Sequence, residues 1–204
     1  MPNALLPILI VFLLAGCVGN PPRQAEMVRH DLGDLAGAWP SPGFPVGGVA
    51  VRAASWLDTP EQAYRLAYAE DLRRRAYADS RWAAPPAELF ENFLRRRIVF
   101  GQPDAGGAGC RLALTLDELE QHFAAPQTSE VVLEMRATLL PPRGKTPVSR
   151  HAVSIRKPAP TPDARGGVQA TRAAARALAD ELARWLAAVA RERPQSIAVC
   201  KEAR

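Results

Sequence analysis

Apolar residues recur along this chain with two periods, every second residue or every three to four, and each change of period marks a new element. Val49, Val51 and Ala53 fall on one face with Ala50 and Arg52 on the other, the pattern of a half-buried strand. After the turn-like Asp58-Thr59-Pro60, the residues Tyr64, Leu66 and Tyr68 share a face opposite Arg65. Glu70-Asp71 then turns a hairpin into residues 73–80, whose arginines suit an exposed sheet edge. Pro85-Pro86 opens a helical period carried by Leu89, Phe90, Phe93, Leu94, Arg97 and Ile98, since proline fits a first turn; Gly101 and the run PDAGGAG end it.

The second half repeats this order. Leu112, Leu114 and Leu116 alternate, but Leu119, Gln121 and Phe123 follow in the opposite phase, which predicts a bulge or bend near Asp117-Glu118. Val131, Leu133, Met135, Ala137 and Leu139 make the cleanest strand, and Val153 and Ile155 mark a shorter partner after the turn PPRGKTP. A long helix is predicted from about residue 162 to 191, with Val168, Thr171, Ala175, Leu178, Leu182, Trp185, Leu186 and Val189 on one stripe. Arg191 and Arg193 complement the negative end of its dipole, and Pro194 is expected to stop it. The order is approximately βββα-βββα. Two helices on one face of an antiparallel sheet would bury both stripes, giving a two-layer α+β domain over residues 44–204.

Ahead of that domain, MPNALLPILIVFLLAG has no charged side chain and is shorter than the roughly 20 apolar residues of a membrane span. It reads as a signal peptide, residues 1–16, although its start lacks the usual Lys or Arg. Leu14-Ala15-Gly16-Cys17 matches the bacterial lipobox, in which a thiol receives diacylglycerol, the peptide is cut before it, and the new amino terminus is acylated. An ordinary signal whose cut happens to leave a cysteine is the alternative. Acyl chains contribute about 0.8 kcal/mol per buried methylene, and two or more hold a protein on a membrane stably. Position 18 is Val rather than the Asp that retains many bacterial lipoproteins at the inner membrane, which favours the outer membrane. Residues 17–43, with Asn20-Pro21-Pro22 and the Pro- and Gly-rich GAWPSPGFPVGG reaching to Gly48, read as a lipidated tether and an approach to the first strand.

The formal charge of +5 does not change this picture. The arginines are scattered along amphipathic elements of an extracytoplasmic chain, so a solvated surface is favoured and nucleic acid is not expected. Cys110 and Cys200 are left once Cys17 is acylated: an oxidising envelope permits a disulfide, two buried thiols are the alternative, and spacing leaves both open. There is no GxSxG, HExxH, P-loop, CxxC, or GxGxxG opening a helix. No catalytic residue, metal site or cofactor is expected. His30, His122 and His151 have no second ligand at useful spacing, and Asp117, Glu118 and Glu120 suit a solvated strand or docking edge better than acid–base chemistry. In WLDTPEQAYRLAYAEDLRRRAYADSRW the tyrosines and tryptophans interleave with arginines, as in a protein-binding surface or in a sheet with aromatic core and basic edge. Arg73, Arg75, Tyr77 and Arg81 are the candidate partner-binding residues.

These residues also carry a resemblance. Trp56-Leu57-Asp58, Tyr64-Arg65-Leu66-Ala67-Tyr68, Tyr77-Ala78-Asp79-Ser80-Arg81-Trp82-Ala83, Pro85-Pro86 with Leu89, Cys110-Arg111-Leu112, Leu116 to Gln121 with Phe123, and Trp185-Leu186 stand in the order of the ABC-type transport auxiliary lipoproteins, the PqiC-like proteins. The resemblance implies an outer-membrane lipoprotein on the periplasmic face, docking the conduit of a mammalian-cell-entry (MCE) type lipid transporter. The implied partners are a periplasmic MCE-domain protein and the membrane itself, with a homo-oligomer left open. It implies no enzymatic activity and supplies one defined site, Cys17. An assembly factor or chaperone for outer-membrane components is the alternative, and an envelope hydrolase a more distant one.

Overall fold

The computed structural model describes residues 26–34, 42–98 and 109–201; the expected signal peptide, Cys17 and most of the tether lie outside the described residues. The second half of the chain supplies an antiparallel meander of β5 (Cys110–Ala125), β6 (Thr128–Leu140) and β7 (Ser149–Pro158). Within it the expected bulge is present: Leu116 pairs with Met135 and Glu118 with Glu134, leaving Asp117 without a partner on β6. The extra residue corrects the phase. Leu112, Leu114 and Leu116 before it and Leu119, Gln121 and Phe123 after it are all buried. Asp117 itself stays outside, where Arg136 grips its carboxylate with two bonds of 2.7 and 2.8 Å.

The first half supplies β1 (Val28–His30), β2 (Val46–Ala53), a 3-10 turn (Ser55–Leu57), β3 (Glu61–Leu66) and β4 (Arg74–Trp82). The free edge of β5 is long enough to serve two of them. β2 runs parallel to its first half, with Val49 beside Leu112, and β3 runs parallel to its second half, with Tyr64 beside Gln121. β4 joins β3 antiparallel and β1 joins β4 parallel. The seven-stranded sheet is therefore mixed, not antiparallel. Alternation reports which face a residue occupies, not which strand lies alongside, and the intervening chain lets β2 and β3 each return parallel to β5. β1 and the buried Leu32 after it fall in the segment expected to be tether; three residues are too few for alternation to reveal.

Helix α1 (Pro86–Ile98) lies along β2 and satisfies that strand's other edge: Glu91 accepts from the Val51 amide at 2.8 Å, and Arg95 donates to the Val49 carbonyl at 3.1 Å. The edge is closed by side chains where no strand is available. Helix α2 (Ala164–Glu192) crosses β6 and β7. Asp163 caps it, accepting from the Gly166 amide at 2.7 Å, and this bond, followed by one from Thr161, holds the carboxyl below its ordinary range. Every stripe residue expected to face the sheet is buried, Trp185 included, whose indole stacks on His151 at 5.4 Å. One continuous core takes side chains from α1, α2 and the sheet.

The long helix ends ahead of Pro194 as expected, but the proline does not end helical structure. It opens a further short helix, α3 (Pro194–Lys201), in the first-turn position where its missing N–H is no loss. This helix delivers Cys200 to Cys110 at the start of β5, with 4.8 Å between Cα atoms, and the two are disulfide-bonded. Closing a loop of 90 residues restricts the unfolded chain by about 4–5 kcal/mol in the chain-entropy picture.

If Asp117 serves to correct phase, deleting it leaves a regular strand with every inward residue still inward. Urea denaturation should place that variant within about 2 kcal/mol of wild type. Deleting Thr115 instead drives Asp117 into the slot of Leu116 and should cost more than about 3 kcal/mol. Equal losses in the two variants would contradict the phase role.

Candidate functional site

The residues singled out for partner binding lie on or beside β4. One edge of that strand pairs with β3; on the other, β1 reaches only residues 80–82, so residues 74–79 have no strand beside them among the described residues. Between the pairs Glu61–Arg81 and Ala63–Ala76, residues 77–80 of β4 stand opposite the single residue Gln62, a bulge with three extra residues. Arg81 closes it, its guanidinium donating to the carbonyls of Tyr77 and, at 2.9 Å, Ser80. Tyr77 points inward, donating to Gln121 Oε1 at 3.0 Å with its ring 4.6 Å from that of Tyr64, and burial pushes its phenol pKa up. Arg75 is tied to Glu70, whose carboxyl is held below the ordinary range by that bond. Arg73 reaches the same carboxylate at 3.4 Å but keeps 64 % of its side chain exposed. The four residues thus do not share one open face. What is open is the backbone edge and Arg73. The interleaving of aromatic and arginine residues could not reveal this, because it does not report which side chains the neighbouring residues Glu70 and Gln121 engage.

On the sheet face away from the helices, the acidic cluster expected to be solvated contains a buried member. The Glu120 side chain is fully covered, receiving Arg65 Nε at 2.7 Å, Arg74 Nε at 3.2 Å and His122 Nε2 at 2.7 Å. Burial alone would raise its carboxyl pKa; the bonds from His122 and Arg65 and the charge of Arg74 outweigh it, and the net shift is downward. Arg74 also bonds Glu118 and lies 4.5 Å above the Trp56 ring. Burial of Glu120 comes from side chains of β3 and β4, neighbours that no local pattern identifies.

A second polar cluster lies under the start of α2. Ser80 donates to Gln62 Oε1 at 2.6 Å, Gln62 Nε2 donates to the Ala164 carbonyl at 2.7 Å, and Gln121 Nε2 donates to Ser129 Oγ at 2.8 Å. The helix approaches so closely that a Cβ on Gly167 would stand 2.2 Å from Gln121 Oε1. Each amide is committed to a structural bond, and among the described residues of this cluster no nucleophile stands beside a base. Among the described residues there is no group of three or more His, Cys, Asp or Glu able to hold a metal ion. His30 lies in β1, and His151 bonds Glu181 of α2 at 2.9 Å. A cleft of about 200 Å³ beside Trp56, Leu57, Arg74 and Leu119 fills the gap where β5 changes partner from β2 to β3.

These features define a class: a one-sheet α+β domain whose buried polar groups are spent on its own architecture and whose distinctive surfaces are an open strand edge and exposed turns. The chain belongs to the family of ABC-type transport auxiliary lipoprotein components, whose model matches residues 38–183. It is an accessory component of a transport system, in a family that is not one of enzymes. The crystal structure of protein XCC0632 from Xanthomonas campestris, of family DUF330, shares the fold at a TM-score of 0.63 and 20 % identity, over 83 % of this chain and 96 % of that one. A second crystal structure, of an uncharacterized protein, aligns at a TM-score of 0.49 and 15 % identity over 82 % and 98 % of the two chains. No curated protein matches the chain.

Because its folded-state carboxyl lies below the ordinary Glu value, Glu120 contributes stability that is present above about pH 4.3 and is lost as pH falls through the folded value. Glu120→Gln should therefore flatten the fall in stability between about pH 5 and pH 3, measured by urea denaturation across that range. An acid limb as steep as that of wild type would mean the cluster contributes nothing.

Proposed function

We propose that this chain is an outer-membrane lipoprotein, anchored through an acylated Cys17 on the periplasmic face, that docks the conduit of an MCE-type ABC lipid transporter. The observation that carries the reading is the coincidence of two independent features. Leu14-Ala15-Gly16-Cys17 stands just ahead of a domain that belongs to a transport auxiliary lipoprotein family. Among the described residues, the open β4 edge is a surface of the kind a subunit that positions others uses.

The docking surface is the open edge of β4, where backbone groups with no strand beside them among the described residues can add a strand from a partner. Ala78 and Asp79 are exposed on this stretch. A photo-crosslinking residue at Ala78, introduced into the full chain in its own host, should trap a periplasmic MCE-domain subunit. A crosslinker at Arg143, on the far β6–β7 loop, should trap none. Capture at both sites or at the far loop alone would remove the edge as the docking face. Failure of the wild-type chain to co-purify with any MCE subunit would reject the transporter assignment.

A further inference from the structure

The β3–β4 turn has an unusual composition. Hairpin tips are normally built from Gly, Asn, Asp and Ser, yet residues 67–73 carry Leu72 at 91 % exposure and Tyr68 at 47 %. A single exposed leucine is ordinary; its surroundings give this one meaning. Leu66 lies beside Phe123, so the tip stands at the same end of the sheet as the β5–β6 turn and the β7–α2 connection. Residues 124–128 and 158–162 there read Ala-Ala-Pro-Gln-Thr and Pro-Ala-Pro-Thr-Pro, without one charged side chain. The opposite end is basic, with Arg143 and Lys145 on the β6–β7 loop and Arg111 and Arg193 bonded to carbonyls of the same loop.

Chain direction selects between the two ends. β1 runs parallel to β4 with Val28 beside Ser80, so the chain enters β1 from the side of the β3–β4 turn. Cys17 precedes Val28 by eleven residues, a span of at most about 40 Å. Ser80 lies level with about Gln62, four β3 residues from Leu66 at the tip, roughly 13 Å. An anchor at Cys17 therefore brings the end that carries Leu72 and Tyr68 to the bilayer without a reversal of the chain.

We propose that the β3–β4 turn is a membrane-contacting tip, with Leu72 and Tyr68 entering the interfacial layer of the bilayer that holds the Cys17 acyl chains and Arg73 lying at headgroup level. The inference rests on the acylation of Cys17 proposed above. Leucine gains by leaving water, tyrosine suits an interface with its apolar ring and polar hydroxyl, and arginine keeps its charge in the headgroups while its stem lies against apolar surface. Glu70 is paired with Arg73 and Arg75, so the contact does not depend on anionic lipid.

The test uses the full acylated chain carrying Leu72→Cys, labelled with a polarity-sensitive fluorophore and reconstituted into vesicles of phosphatidylethanolamine with varied phosphatidylglycerol. Lys145→Cys at the basic end serves as comparator. The label at position 72 should shift to the blue and lose intensity to headgroup-proximal nitroxide lipids, equally at low and high phosphatidylglycerol, while the label at 145 does neither. A chain that floats with vesicles while both labels report water rejects the tip and leaves the anchor standing. A chain that does not float rejects the anchor and the tip together. A label at 72 that responds only when a partner protein is added identifies a protein contact and rejects the membrane assignment.

Discussion

One unpaired residue in one strand sets the layout of the molecule. Asp117 interrupts the ladder of β5 with β6, and by absorbing an odd residue it keeps two stretches of opposite phase on the same buried face. Without it, either Leu112, Leu114 and Leu116 or Leu119, Gln121 and Phe123 would face water, and a one-residue slip of that kind inverts every position beyond it. A strand sixteen residues long can then offer separate lengths of one edge to β2 and β3. Where these two part, the 3-10 turn and Trp56 occupy the gap, and β4 is carried outward to the side of the sheet.

The position of β4 explains why its polar groups are so differently used. Side chains of β3 and β4 that point away from the helices cover Glu120, and those that point toward them join Gln62, Gln121 and Ser129 beneath α2. A buried carboxylate with three charged or polar donors is a costly object, and such clusters are better evidence of a specified arrangement than of stability. Among the described residues the backbone along 74–79 has no strand beside it, because β1 is only three residues long. An accessory subunit can use such a remainder, and here it lies at the end of the sheet opposite to the other edge strand, β7, which pairs only with β6 among the described residues.

Much of this was legible in the sequence, and the boundary follows from physics. The long helix, its buried stripe, the first helix and the bulge near Asp117 all register as local periodicity, and each is found where the pattern puts it. Strand partners do not register locally, so parallel pairing of β2 and β3 with β5 was replaced by an antiparallel expectation. The same blindness made Glu120 read as solvated and Tyr77 and Arg81 as surface contacts, since their neighbours come from strands paired at a distance. β1 was missed because it is short, and α3 because a proline that stops one helix can equally start the next.

Docking edge and membrane tip both take their orientation from a lipid on Cys17, so the chemical state of that residue is the most direct test. Intact-mass spectrometry of the chain extracted from the membranes of an expressing bacterium should find a polypeptide beginning at Cys17, heavier than its sequence by a diacylglycerol and an amide-linked acyl chain. A chain that retains residues 1–16, or begins at an unmodified Cys17, would contradict the anchored subunit on which this view of the molecule rests.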